Sequence, residues 1–259
     1  MIRAILIGAV ALYLIVAMLA WWQQDRLLYP APPASAKVPS GFDSVVYRTS
    51  DGLDLEAGYR AAQSGKPTLL YFHGNGADWQ SSVQAADLLV DRGYGLLAAE
   101  YRGYSGNPGK PREHGFYMDG RAAVAFLADR GVPSSDLIIV GNSIGSGTAV
   151  QMATEGDAKA LVLVSPFANL RQLVREKISW LPISLLLRDT YDNVGKIGSL
   201  SEPVAIVHGT SDVLIPISHS RQLKAELPGA RFIEVRGVGH ELAWENRAKD
   251  EILRFVESL

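Results

Sequence analysis

A serine set between closely spaced glycines is the first feature with chemical content. Gly141–Asn142–Ser143–Ile144–Gly145 follows an apolar stretch that reads as a buried strand and precedes a helical pattern. In a G-x-S-x-G elbow the serine takes a strained strand-to-helix turn, and small residues two positions to either side let the backbones close. The helix start adds unpaired N–H groups and positive potential beside the hydroxyl. Glycine-rich turns also follow strands with no chemistry attached, and this chain has 25 glycines. The serine therefore needs partners.

A serine hydroxyl is a weak nucleophile without a base, and the base needs an acid to orient it. His240 in "VRGVGHELAW" falls between the last strand pattern and the last helix pattern, in a loop from which an imidazole can reach the serine. The same run fails as a zinc helix, because Trp244 stands where H-E-x-x-H needs its second histidine. His208 reads as a satisfied turn histidine, His219 as a surface residue of a helix, and His114 as part of a polar loop. For the acid, "IVHGTSDVLIP" places Asp212 in the loop after a strand. A turn or N-cap role is the plain alternative for that aspartate. Asp189 and Asp192 are rivals that nothing in the sequence places at the same edge. Ser146 belongs inside the predicted helix, and Ser105 in "GYSGN" lacks the second glycine spacing.

Acyl transfer also requires donors for the oxygen that becomes negative. "LLYFHGNGADW" follows a buried strand with His73–Gly74–Asn75–Gly76, which lets the Asn75 N–H face a developing alkoxide. The N–H of Ile144 is the second donor, and His73 is expected to brace the loop.

These residues need a scaffold that brings several strand ends to one edge. Strand-like runs at 68–72, 94–99, 137–140, 160–164, 204–207 and 231–235 alternate with amphipathic segments at 78–92, 117–130, 144–154, 218–227 and 241–258. That alternation predicts an α/β fold, a mostly parallel sheet with helices on both faces. Before it, Asp51–Gly52 between two β-prone stretches signals a hairpin. The stretch 167–200 breaks the rhythm, with helical pieces at 170–178 and 183–187, and reads as a cap inserted over the sheet edge. Leu173, Val174, Ile178, Trp180 and residues 185–187 would give it an apolar inner face; simple helix packing onto the core is the ordinary explanation for them.

The N-terminal region is of another kind. Residues 4–22 carry no charge, enough helix to cross a bilayer, and Trp21–Trp22 followed by Gln23, Gln24, Asp25 and Arg26 form an interfacial exit. A cleaved signal is the rival reading, with the only downstream A-x-A at 34–36. The expected organisation is an anchor at 1–26, an extended Pro- and Ala-rich linker at 27–43 and a catalytic domain at 44–259. The short leading tail favours a domain outside the cytoplasm. Net charge is −2, so no basic field invites nucleic acid, and the absence of cysteine removes thiolate chemistry.

Taken together, the elbow, the His73–Gly74–Asn75 loop, "AAEYRGYSGNPGKP", "HGTSDVLIP" and "GVGH" resemble the α/β-hydrolase superfamily. More narrowly they resemble its Bem46/ABHD13-like branch, over essentially everything from 44 to 259. The resemblance implies an eight-stranded sheet with its second strand antiparallel, and a triad of Ser143, Asp212 and His240. It also implies oxyanion donors at Asn75 and Ile144, and no metal or cofactor. Three departures stand out. Glu100 replaces the Asp usual before "YRGYG", Ser105 replaces the last glycine of that run, and "GHELAW" lacks the Asn–Asp pair common after the family histidine. The expected activity is hydrolysis of a carboxylic ester or thioester of a small-molecule or lipid-like substrate at a membrane. A serine aminopeptidase or amidase on the same triad is the first alternative, and a non-catalytic membrane-tethered binding module the second.

Overall fold

The computed structural model describes residues 1–33 and 37–259; the A-x-A run at 34–36 lies outside the described residues. Eight strands form one sheet: β1 (Asp43–Arg48), β2 (Asp54–Arg60), β3 (Thr68–Phe72), β4 (Gly95–Ala99), β5 (Leu137–Asn142), β6 (Ala160–Val164), β7 (Val204–Gly209) and β8 (Arg231–Val235). Their order is β1-β2-β4-β3-β5-β6-β7-β8. β2 is antiparallel to β1 and β4, and the other neighbouring pairs are parallel. This is the α/β sheet expected, with its antiparallel second strand. β3 to β7 are buried along their whole length, as apolar runs covered on two faces must be. The first two strands form the hairpin signalled by Asp51–Gly52, with Gly52 at φ +88° and the Thr49 N–H bonded to Leu53 O at 2.8 Å.

The helices are α1 (Ile2–Leu28), α2 (Trp79–Ala85), α3 (Asp87–Val90), α4 (Glu113–Asp129), α5 (Gly145–Glu155), α6 (Leu170–Lys177), α7 (Ile183–Leu186), α8 (Asn193–Ile197), α9 (Ser218–Glu226) and α10 (Asn246–Glu257). Side chains of α2, α3 and α10 build the core on one sheet face. Those of α4, α5, α8 and α9, joined by the cap and by Ala17 and Tyr29, build the larger core on the other.

Several boundaries differ from the sequence expectation. The predicted helix 78–92 is two helices, broken at Ala86 (φ −97°, ψ 2°), and Asp78 caps the first by accepting the Ser81 N–H at 2.8 Å. The predicted helix 241–258 is a 3₁₀ turn, His240–Trp244, then α10, because Glu245 between them is extended. The expected linker does not begin at residue 27: Leu27 and Leu28, both good helix formers, are the last turn of α1. That turn is docked on the domain rather than held off it. β1 likewise starts one residue before the expected boundary.

Among the described residues α1 is the one helix long and apolar enough to cross a membrane. The cap consists of α6, α7 and α8. Asn169 caps α6 by accepting the Gln172 N–H at 3.1 Å, and Asp192 caps α8 through Gly195 N at 3.4 Å.

Candidate active site

β5 ends at Asn142, and Ser143 turns the chain into α5 with φ +54°. A non-glycine residue held there stores about 1–3 kcal/mol, which the surroundings must offset. They do so by fixing its neighbours: Ser143 N–H bonds to Val164 O at 2.9 Å, and Ser146 Oγ donates to Ser143 O at 2.6 Å. The flanking glycines have a different task. A Cβ on Gly145 would stand 2.2 Å from Phe72 O, and one on Gly141 would stand 2.5 Å from Ala149 Cβ. Neither glycine has positive φ. The left-handed turn falls on the serine itself, while the glycines supply clearance.

His240 opens the 3₁₀ turn after β8 and reaches back across the sheet edge. Its Nε2 lies 2.9 Å from Ser143 Oγ, and its Nδ1 lies 2.7 Å from Asp212 Oδ2. A carboxylate can only accept, so Nδ1 carries the proton and Nε2 is left to accept from the serine hydroxyl. Asp212 follows β7, and its other oxygen accepts the N–H groups of Leu214 and Ile215 at 2.9 and 2.8 Å. Burial alone would raise its pKa. Hydrogen bonds from His208, His240 and the Ile215 N–H outweigh that and hold the carboxyl well below the usual carboxylate range. The turn role foreseen as an alternative for Asp212 is present, carried by the oxygen that faces away from the histidine.

Asn75 and Ile144 line the same cavity as Ser143. Among the described residues neither backbone N–H donates to another group of the chain. A Cβ on Gly74 would meet Ser143 Cβ at 3.3 Å, so this loop runs close past the elbow. The Asn75 side chain is engaged at both ends: Nδ2 donates to Leu28 O at 2.5 Å, and Oδ1 accepts from Tyr104 OH at 2.9 Å.

Behind this loop, His73 braces as foreseen. Both of its ring nitrogens face acceptors, Nδ1 the Gly74 carbonyl at 2.8 Å and Nε2 Glu100 Oε1 at 2.5 Å. Burial opposes a second proton on the ring, but the Glu100 carboxylate and the Gly74 carbonyl prevail and raise its pKa. Two of the departures from the family pattern are partners. Ser105 Oγ donates to Glu100 Oε2 at 2.6 Å, and Ser105 stands at φ +49°, a conformation that glycine takes freely. The longer Glu100 side chain is met by the Ser105 hydroxyl.

The remaining candidates lie elsewhere. His208 is buried, accepting from Ser220 Oγ at 2.6 Å and donating to Ile215 O at 2.8 Å, a satisfied histidine that also backs Asp212 at 3.4 Å. His219 is not a surface residue. It is fully buried, accepting the Ala168 N–H at Nδ1 and facing Glu176 at Nε2, because α9 turns that face toward the cap. His114 is exposed, but it sits in the first turn of α4 rather than in a loop. Asp189 accepts from Tyr29 OH at 2.6 Å, and Asp192 caps α8, so both serve the cap. Among the described residues no group of His, Cys, Asp or Glu side chains could hold a metal ion.

A cavity of about 250 Å³ opens beside Ser143. Its walls are Phe167, Leu170, Leu173, Val174 and Ile178 from the cap side, Leu214 and Ile215, and, unforeseen, Leu27 and Leu28 of α1. Trp180 and Leu185 leave the expected inner face and are 60% and 85% exposed. A signal for the α1 contact was present in the sequence. Ala17, Ala20 and Gln24 recur at i, i+3 and i+7, a helical stripe of small and polar residues on an otherwise bulky apolar helix. That stripe is where α1 is buried or partly buried.

The comparisons with known proteins agree with this architecture. Residues 63–188 match the family model described as serine aminopeptidase, S33. The chain is 37% identical over 253 residues to the uncharacterized protein Rv2307c of Mycobacterium tuberculosis, covering 93% of this chain and 90% of that one. It is 30% identical over 211 residues to alpha/beta hydrolase domain-containing protein 17B of Homo sapiens, covering 80% and 72%. Among solved structures, an esterase of Pyrococcus furiosus superposes with a TM-score of 0.73 at 17% identity, over 88% of this chain and 97% of that one. The fold is that of the α/β-hydrolases. The chain belongs to the α/β-hydrolase superfamily and is, at that level, a hydrolase.

Proposed function

We propose that the protein is a serine esterase or thioesterase in which Ser143, His240 and Asp212 form the catalytic triad. The observation that carries this reading is the unbroken hydrogen-bond chain Ser143 Oγ–His240–Asp212, set on a left-handed serine at a helix start. Ser143 Oγ bonds to the acyl carbon while His240 Nε2 takes its proton, and the carbonyl oxygen, now negative, receives the Asn75 and Ile144 N–H groups. His240 then returns the proton as the C–O or C–S bond breaks, releasing alcohol or thiol. Water repeats the cycle on the acyl-enzyme, giving the carboxylic acid and free Ser143. Asp212 stays ionised and stabilises the imidazolium.

The matching family model brings a peptidase reading into view, and the cavity walls weigh against it. An aminopeptidase grips a substrate ammonium with carboxylates, whereas the charged residue lining this cavity is Lys177, beside apolar side chains. A cation there repels an ammonium and tolerates an acyl chain.

Hydrolysis of p-nitrophenyl esters from acetyl to palmitoyl, compared with Ser143→Ala, tests the proposal. Turnover lost by at least about 10³-fold in the variant is the expected result. Absence of Ser143-dependent turnover on every ester overturns it, and amide substrates then distinguish the peptidase from a binding module. For the N-terminus we propose that α1 is an uncleaved anchor and that the hydrolase domain, 44–259, lies outside the cytoplasm. Protection of the domain from external protease on intact cells would reverse that orientation.

A further inference from the structure

Four residues, Leu27, Leu28, Val174 and Ile178, line both the cavity at Ser143 and a second apolar cavity between α1 and the cap. The two therefore adjoin across these four apolar side chains. The second one continues away from the serine between α1, through Ala20, Trp21 and Gln24, and the cap, through Leu181, Leu186 and Leu187. One wall of this route, from the reacting serine outward, is the helix that is apolar enough to lie in a bilayer.

The contact between α1 and the cap is specific. Gln24 is buried, with its amide nitrogen donating to Leu186 O at 3.2 Å and its oxygen accepting the Arg188 N–H at 3.0 Å. Higher up, Tyr13 OH donates to Trp180 O at 3.2 Å, and the two rings meet edge to face at 6.4 Å. Tyr13 is fifteen residues before Leu28, about 22 Å along the helix. The cap tip, with Trp180 and Leu185 exposed, therefore reaches well into the apolar length of α1. At the other end, Leu28 O, one of the carbonyls that a helix end leaves unpaired, accepts from Asn75 Nδ2, and Pro30 O accepts the Gly76 N–H at 3.0 Å.

We infer that α1 is a working wall of the active site: the acyl chain of a bilayer-resident lipid ester slides laterally between α1 and the cap to Ser143. In this arrangement the chain passes from lipid to groove without exposing its methylenes to water. The α1 exit also holds the Asn75 loop in register with the ester carbonyl. The inference rests on the serine-esterase reading above, and its test separates the two.

The test uses the full chain in phosphatidylcholine vesicles and a hexadecyl fluorophosphonate with a diazirine at the end of its chain. Ser143 Oγ displaces fluoride from phosphorus, illumination joins the chain end to its neighbours, and mass spectrometry locates the join. Joins to residues 13–24 of α1 and 178–187 of the cap are expected. Labelled Ser143 with joins only elsewhere overturns lateral access and leaves the esterase reading standing. Folded protein that does not label at Ser143 overturns both. As a second measurement, Ala20→Trp narrows the outer groove away from the serine. The ratio of kcat/KM for palmitoyl over acetyl ester should fall about tenfold or more, and an unchanged ratio overturns the inference.

Discussion

Asp212 meets His240 with one carboxylate oxygen, at 2.7 Å, and two backbone N–H groups of its own loop with the other. The division fixes which face of the carboxylate is offered to the imidazole. In Asp212→Asn the Oδ1 position is held as an acceptor by Leu214 and Ile215, so the amide NH₂ points at Nδ1. The ring must then carry its proton on Nε2, the wrong tautomer for accepting from Ser143. We expect kcat to fall by about 10⁴ with little change in KM. Ester kinetics on folded protein decide it; a variant that keeps more than about a tenth of the wild-type kcat would contradict the tautomer argument.

The depressed pKa of Asp212 sets an acid limit on stability. A carboxyl whose folded pKa lies below its unfolded value stabilises fully above the unfolded value of 3.8, and loses that contribution as pH falls through the folded one. Wild-type stability relative to Asp212→Asn should therefore be constant above about pH 5 and shrink progressively below pH 4. Denaturant titrations of both proteins across that range measure the difference.

His73 runs the other way. Its folded pKa is raised, so its stabilisation is complete below the unfolded value of 6.5 and fades as pH rises through the folded one. His73→Gln leaves Glu100 buried with its ionic partner gone, a loss of about 3–5 kcal/mol. Measured by denaturant unfolding, the gap between wild type and variant should be widest near pH 6 and narrow toward alkaline pH. A gap that widens with pH would rule out the charged pair.

Gly145→Ala places a methyl group 2.2 Å from Phe72 O, a backbone atom that cannot step aside. We expect a loss of about 3 kcal/mol or more together with activity, since the elbow must open to admit it. Gly229→Ala, where nothing lies within 4 Å, is the control and should leave the melting temperature unchanged.

Gln24→Leu removes that residue's two polar links to the cap backbone, leaving Leu186 O and the Arg188 N–H without them. The cost is about 1–3 kcal/mol for each group left unsatisfied. Hydrogen exchange of the full chain should show faster exchange at the Arg188 amide in the variant, while β5 stays protected.

The sheet, its order and the positions around the serine were legible because each leaves a local mark. Buried parallel strands read as continuous apolar runs, and the elbow, acid and histidine each follow one of them. What was not legible depends on contacts distant in the chain. His219 reads as a surface helix residue until α9 is seen against Ala168 and Glu176. Leu27 and Leu28 read as the start of a linker because Asp25 and Arg26 precede them. Only the folded chain shows that Asp25 pairs with Arg112 at 2.9 Å and that Tyr29 is buried against Asp189. The pairing of Glu100 with Ser105 was visible as two separate departures, and their compensation needed the loop's geometry.

The docking of Gln24 also bears on mechanics. A single membrane helix normally answers a change in bilayer thickness by tilting, at a modest free-energy cost per ångström of mismatch. Here the helix is clamped along one stripe, from Tyr13 at the cap tip to Leu28 at the Asn75 loop. If α1 tilts, the cap must turn with it or the grip on Asn75 must slacken. With α1 in a bilayer, as proposed, thickness of the surrounding lipid becomes a lever on the proposed oxyanion geometry, and turnover in short-chain and long-chain phosphatidylcholine should differ even for a water-soluble acetyl ester.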